Sequence, residues 1–190
     1  MLQQRLLEKV TAFLNSNDIG YMVTGSIVSS IQGEPRNTHD IDIVIELKIE
    51  NIISLLNEFT APCYYISKNS IEEAIAKKGM FNIINTEEGD KIDFWLLSNE
   101  DFDGSRFSRK IEVQFQKLKF FVSTPEDTIL AKLRWAKLSG GSEKQMTDAV
   151  RVYEINYKNL DFDYLKNWVS KLQIQVEWQN LCKEAEPLEF

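Results

Sequence analysis

The sequence predicts an α/β (α+β) fold: a mixed β-sheet core flanked by helices and followed by a C-terminal helical segment. Three observations carry this prediction. Short β-type runs alternate with amphipathic helical patterns up to residue 123. From Thr124 onward every periodic pattern is helical. The chain of 190 residues, with ordinary apolar and charged content, is long enough for a real core and buries about 70% of its extended surface at this size. Two regions are expected, an α/β domain over residues 1–123 and a helical region over 124–190. No Pro, Gly or Ser-rich linker separates them, so the second should pack directly on the first.

In chain order, Leu6, Val10, Phe13 and Leu14 form the stripe of an amphipathic helix over 2–16, ended by Asn17, Asp18 and Gly20. YMVTG at 21–25 reads as a strand, 26–32 as a brief helix, and 33–38 as a loop into the strand 40–46. Ile52, Ile53, Leu56 and Phe59 predict a helix over 50–59; APCYYIS is extended, and 70–78 is helical up to Gly79. MFNIINT and KIDFWLL, joined through Glu87, Glu88, Gly89 and Asp90, carry a hairpin signature. A further strand is expected over roughly 111–122.

Thr124 with Pro125, Glu126 and Asp127 is a helix start, and Gly140 and Gly141 are its stop. Ser142 caps a second helix carrying Met146, Val150, Tyr153 and Tyr157. A third carries Leu165, Trp168, Val169 and Leu172, and Ile174, Trp178 and Leu181 predict a fourth.

Composition excludes several classes. With 29 acidic against 22 basic residues, the net charge of −7 argues against a general electrostatic grip on DNA or RNA. Cys63 and Cys182 stand far apart without a C-x-x-C or His partner, so free thiols in a reducing compartment are expected rather than structural zinc. The first 14 residues lack a secretory apolar run, and no later run approaches the roughly 20 residues that span a membrane. The expectation is a cytoplasmic protein without a membrane partner.

The chemistry concentrates between Val23 and Glu46. Asp40 and Asp42 lie two apart on a strand, so they share one face while Ile41, Ile43 and Ile45 share the other. Adjacent like charges on a mostly buried element need neutralising, and a divalent cation does so. Asp93, on a neighbouring strand candidate, is the natural third acid. Three carboxylates suit Mg²⁺, which prefers oxygen ligands. Upstream, Gly25 and Ser26 sit where a strand turns into a helix, and backbone N–H groups there favour a phosphate. Arg36 and Thr38 add a charged and a neutral phosphate donor in the loop before the acids.

A Gly-Ser turn opening a short helix, then Asp-Ile-Asp on a strand, then a third Asp on a later strand, resembles the polymerase-beta-type nucleotidyltransferase superfamily. The likeness is to its small bacterial and archaeal members, of a subfamily whose function is uncharacterised. It covers residues 21–97, and TPEDTILAKLRWAK resembles the helix that follows their catalytic domain. The resemblance implies a nucleotidyltransferase core over 1–123 that transfers a nucleoside monophosphate from an NTP to an acceptor and releases pyrophosphate. It implies two Mg²⁺ ions, with Mn²⁺ as a substitute. Asp40 and Asp42 would bind both, while Asp93 would bind the one at the acceptor hydroxyl and serve as its base. Gly25 and Ser26 would hold the triphosphate, with Lys132 and Arg134 reaching it from the first C-terminal helix.

Blander readings stand beside these. Asp40 and Asp42 also suit a solvent-facing strand edge, and Asp93 also suits an ion pair with Lys91, two residues away on the same face. His39, the only histidine, alternates away from the acids. Asp148 and Arg151 read as an intrahelical pair, and Trp135, Tyr153, Trp168 and Trp178 mostly as core. The rival enzyme is a metal-dependent glycosyltransferase. The alternative from another class is a non-catalytic nucleotide- or partner-binding protein of the same fold, such as a toxin–antitoxin component. The acceptor stays open among a small molecule, a protein and tRNA, the last held by a local patch with Arg134 and Lys137. A protein partner or a homodimer also stays open.

Overall fold

The computed structural model describes residues 2–35, 40–115 and 118–187. Among these, seven strands form one mixed sheet: β1 (Tyr21–Thr24), β2 (Asp40–Ile45), β3 (Tyr64–Ile66), β4 (Met80–Asn85), β5 (Lys91–Leu96), β6 (Ile111–Phe115) and β7 (Leu118–Val122). The helices are α1 (Leu2–Ser16), α2 (Gly25–Gln32), α3 (Ile52–Glu58), α4 (Lys68–Lys77), α5 (Asp101–Ser108), α6 (Pro125–Leu138), α7 (Glu143–Asn156), α8 (Phe162–Lys171) and α9 (Gln175–Glu184). The open mixed sheet with flanking helices is the α/β architecture that the alternating patterns predict. No helix among the described residues is long and apolar enough to cross a membrane.

The chain divides into two compact units, Met1–Thr24 with Thr38–Val122, and Gly25–Asn37 with Ser123–Phe190. The first holds the whole sheet, in the order β3-β4-β5-β2-β1-β7-β6. The β2–β5 and β1–β7 pairs are parallel and the rest antiparallel. Alternation decides what each face carries. Ile41, Ile43, Ile45, Ile92, Phe94 and Leu96 are all buried on one face of β2 and β5, and Phe81 of β4 stacks on Phe94. Leu6, Val10 and Leu14 bury the predicted stripe of α1. Asp18 ends that helix in the left-handed region at φ 52°, where Ile19 N–H donates to the Leu14 carbonyl.

Three features of the first unit differ from the sequence reading. The strand expected over 111–122 is two, β6 and β7, paired antiparallel with Phe115 opposite Leu118. The reversal carries no Gly, Pro, Asn or Asp, so no local turn signal marks it. Helix α5 has no periodic signal and carries Gly104; Phe102 and Phe107 hold it through burial, and Arg106 pairs with Asp103 at 2.9 Å. In α3 the buried residues are Ile52 and Leu55, while Ile53 is 69% exposed.

The second unit is helical. Thr124 Oγ1 accepts from Asp127 N–H, as the start signal predicts, and Pro125 occupies the first helical turn. Gly140 and Gly141 follow α6 with positive φ. Asp161 caps α8 by accepting from Tyr164 N–H, and the Tyr164 hydroxyl donates to Asp127 Oδ1 at 2.6 Å, fastening α8 to α6. Leu165, Trp168, Val169, Ile174 and Leu181 are buried, whereas Trp135, expected mostly as core, is 50% exposed because α6 buries Lys132, Leu133 and Ala136 instead. Arg151 pairs with Glu154 and Glu34 rather than with Asp148, which is buried and faces Lys132.

Gly33, just past the end of α2, lies against α7. A Cβ there would lie 2.8 Å from the Ser29 carbonyl oxygen and 3.1 Å from the Val152 nitrogen, both main-chain atoms that yield only if helices move. Gly33→Ala is expected to destabilise the protein by about 1–3 kcal/mol in urea denaturation.

Candidate active site

The three acids come together in the first unit. The parallel register sets Asp40 opposite Lys91, Asp42 opposite Asp93 and Val44 opposite Trp95, so these six residues share one sheet face. The same row continues outward from Asp42 to Thr24 on β1 and from Asp93 to Asn82 on β4. A one-residue slip would turn the acids into the core and the isoleucines out, so burial of the apolar face locks the register. The Asp40 side chain is 61% exposed and Asp93 is buried, which grades the site from solvent to interior.

Strand β5 sets a hydrogen-bond donor or a positive charge against each of the three carboxylates. Lys91 Nζ lies 2.9 Å from Asp93 Oδ2 and 3.7 Å from Asp40 Oδ1. The hydrogen bond to Asp93 raises the Lys91 ammonium above the ordinary lysine range, helped by the charges of Asp93 and Asp40 and opposed by partial burial. Trp95 Nε1 donates to Asp42 Oδ1 at 3.3 Å. Asp93 Oδ1 is buried and meets no hydrogen-bond donor among the described residues. In this arrangement no group of three or more His, Cys, Asp or Glu side chains among the described residues is placed to hold a metal ion. The sequence pattern marks Lys91 only as a partner of Asp93 and assigns no role to Trp95 or Asn82. The signal for Trp95 is its spacing, two residues beyond Asp93 on the same face.

The other expected residues lie in the second unit or outside the described residues. Gly25 opens α2 at φ 69°, in the left-handed region, so glycine is required where β1 turns into the helix. The Ser26 carbonyl accepts from the hydroxyls of Ser29 and Ser30. Lys132 is buried, and its Nζ donates to Asp148 Oδ2 at 2.7 Å; Ser29 Oγ lies 3.3 Å from the same oxygen. Arg36, Thr38 and His39 fall outside the described residues.

No protein-family model matches the chain, and no curated protein matches it in sequence. Solved structures do. The antibiotic-resistance protein ANT(2″)-Ia, in complex with adenylyl-2″-tobramycin, is similar with a TM-score of 0.61 at 10% identity, over 91% of this chain and 98% of that one. The lincosamide antibiotic adenylyltransferase LnuA, lincomycin-bound, is similar with a TM-score of 0.54 at 14% identity, over 78% and 95%. An antigenic nucleotidyltransferase-like protein from Paracoccidioides brasiliensis is similar with a TM-score of 0.50 at 13% identity, over 96% and 93%. At such identities the likeness is one of fold: the chain has the fold of the nucleotidyltransferases.

Because Lys132 and Asp148 are both buried, Asp148→Asn strands an ammonium without its carboxylate and is expected to cost about 3 kcal/mol. Arg151→Ala, which removes a half-exposed cation from the buried Glu154, should cost less, about 1 kcal/mol. Urea denaturation of both variants checks the difference.

Proposed function

We propose that the protein transfers a nucleoside monophosphate from an NTP to an acceptor hydroxyl and releases pyrophosphate, using Mg²⁺ or Mn²⁺ held by Asp40, Asp42 and Asp93. The observation that carries this reading is the register that puts Asp42 beside Asp93 with a buried, donorless oxygen on Asp93. An all-oxygen donor set with an unsatisfied anionic oxygen suits a hard divalent cation. Bound cations supply charge neutralisation at the attacking and leaving oxygens of an in-line displacement.

The chain's own residues do the rest. The acceptor oxygen bonds to the α-phosphorus, the bond from that phosphorus to the bridging oxygen breaks, and pyrophosphate departs. Asp93 takes the acceptor's proton on the carboxylate oxygen that the cation leaves free. Gly25 and Ser26 bind the triphosphate through the main chain that the left-handed glycine exposes. Lys132, paired with Asp148, is the cationic phosphate ligand of the second unit, with Arg36 and Thr38 as further phosphate donors.

For the acceptor, the net charge of −7 favours a small molecule over a nucleic acid. The adenylylated tobramycin seen with ANT(2″)-Ia and the lincomycin seen with LnuA support that choice. Lys91 seated among the acids favours a second reading, an NTP-binding protein without turnover.

Calorimetry with ATP, GTP, CTP and UTP, with and without Mg²⁺, alongside a pyrophosphate-release assay in cell extract, separates the two. Release together with a mass increment of one nucleotide on an extract component is expected; tight binding without release establishes the second reading. Asp42→Asn and Asp93→Asn should each lose transfer by about a hundredfold or more while melting as cooperatively as the wild type. Turnover at the wild-type rate in either variant overturns the assignment.

A further inference from the structure

We propose that Lys91 is a tethered counter-ion that competes with the divalent cation, and so sets the metal affinity of the site. The inference rests on reading Asp40, Asp42 and Asp93 as metal ligands. Lys91 Nζ sits between two of them, 2.9 Å from Asp93 Oδ2 and 3.7 Å from Asp40 Oδ1, and so supplies the positive charge that a bound cation would otherwise supply. Both roles cannot be met at once, because an ammonium beside a divalent cation adds repulsion where the acids supply attraction.

The stem of Lys91 permits the exchange. Its side chain is 34% exposed, so the ammonium can rotate into water at the rim without stranding a buried charge. Asp93 cannot follow, being fixed in the middle of β5 with Asp42 and Asn82 as its neighbours. Asp93 Oδ1 has no donor, so withdrawal of Lys91 from Oδ2 would leave both oxygens of the buried acid available to a cation. Lys91 thereby stabilises the cation-free sheet against repulsion between Asp42 and Asp93, and leaves when a stronger counter-ion arrives.

Titration calorimetry with MnCl₂ or MgCl₂ alone, without nucleotide, tests this on the full chain. Lys91→Met keeps the length of the stem and removes the charge. It is expected to bind Mn²⁺ about two- to fivefold more tightly, the gain obtained by removing a competitor of modest strength. In metal-free buffer Lys91→Met should melt below the wild type, and Mn²⁺ should raise its melting temperature by more. Lys91→Arg, which keeps the charge, should stay near the wild-type affinity, and Lys91→Gln serves if the Met variant does not fold. Equal Mn²⁺ affinity in wild type and Lys91→Met overturns the inference alone. Weaker affinity in the variant also overturns it, and makes Lys91 a support of Asp93 instead. No Mn²⁺ binding in either protein overturns the metal reading and this inference together.

Discussion

Asp42 and Asp93 are direct partners across the parallel pair of β2 and β5, and two carboxylates so placed repel each other unless a cation lies within reach. The register cannot relax to separate them. The opposite face of the same two strands carries Ile41, Ile43, Ile45, Ile92, Phe94 and Leu96, all buried, and any slip by one residue would exchange that apolar surface for acids. Apolar burial worth roughly 25 cal/mol per Å² over six large side chains outweighs one carboxylate repulsion. The electrostatic demand at the face is therefore a permanent consequence of the core.

Two kinds of cation can answer that demand, a side chain or an ion from solution. Lys91 answers it within the fold and explains how the sheet is stable with three acids on one face. It answers only in part, since Asp93 keeps one buried oxygen without a donor. A sheet that needed nothing but internal neutrality would place that oxygen against a donor, because a buried unsatisfied acceptor costs about 1–3 kcal/mol. That residual imbalance is the one the proposed cation would answer.

Much of this was legible in the chain because it depends on period two. Asp40, Asp42 and Asp93 declare their shared face by alternation with isoleucine and phenylalanine, and Thr124, Pro125, Gly140 and Gly141 declare the limits of α6 by capping chemistry. What escaped depends on pairing or on tertiary burial. The β6–β7 reversal has no turn residue, and α5 has a glycine and two serines where a helix pattern would need alanines or leucines. Asp148 lies three residues before Arg151 on α7, which suggests a local pair. Lys132, sixteen residues away, holds it instead, and the helix packing that brings them together leaves no mark in either segment. The hydrogen bond of Trp95 to Asp42 likewise follows from the β2–β5 pairing alone.

Lys91 and Lys132 were both readable as charges and are both held by aspartates, yet burial gives them opposite characters. The Lys91 side chain is 34% exposed, so leaving its acids exchanges an ion pair for water at small cost. The Lys132 and Asp148 side chains are 6% and 7% exposed, and separating them would strand two charges in the interior. A phosphate role for Lys132 must then be one in which the anion comes to an ammonium that stays in place, its direction set by Asp148. A metal-competing role for Lys91 requires the reverse, an ammonium that moves while the acids stay. On the proposed function the fixed cation would suit the triphosphate, and the mobile one a site that takes up and releases a metal.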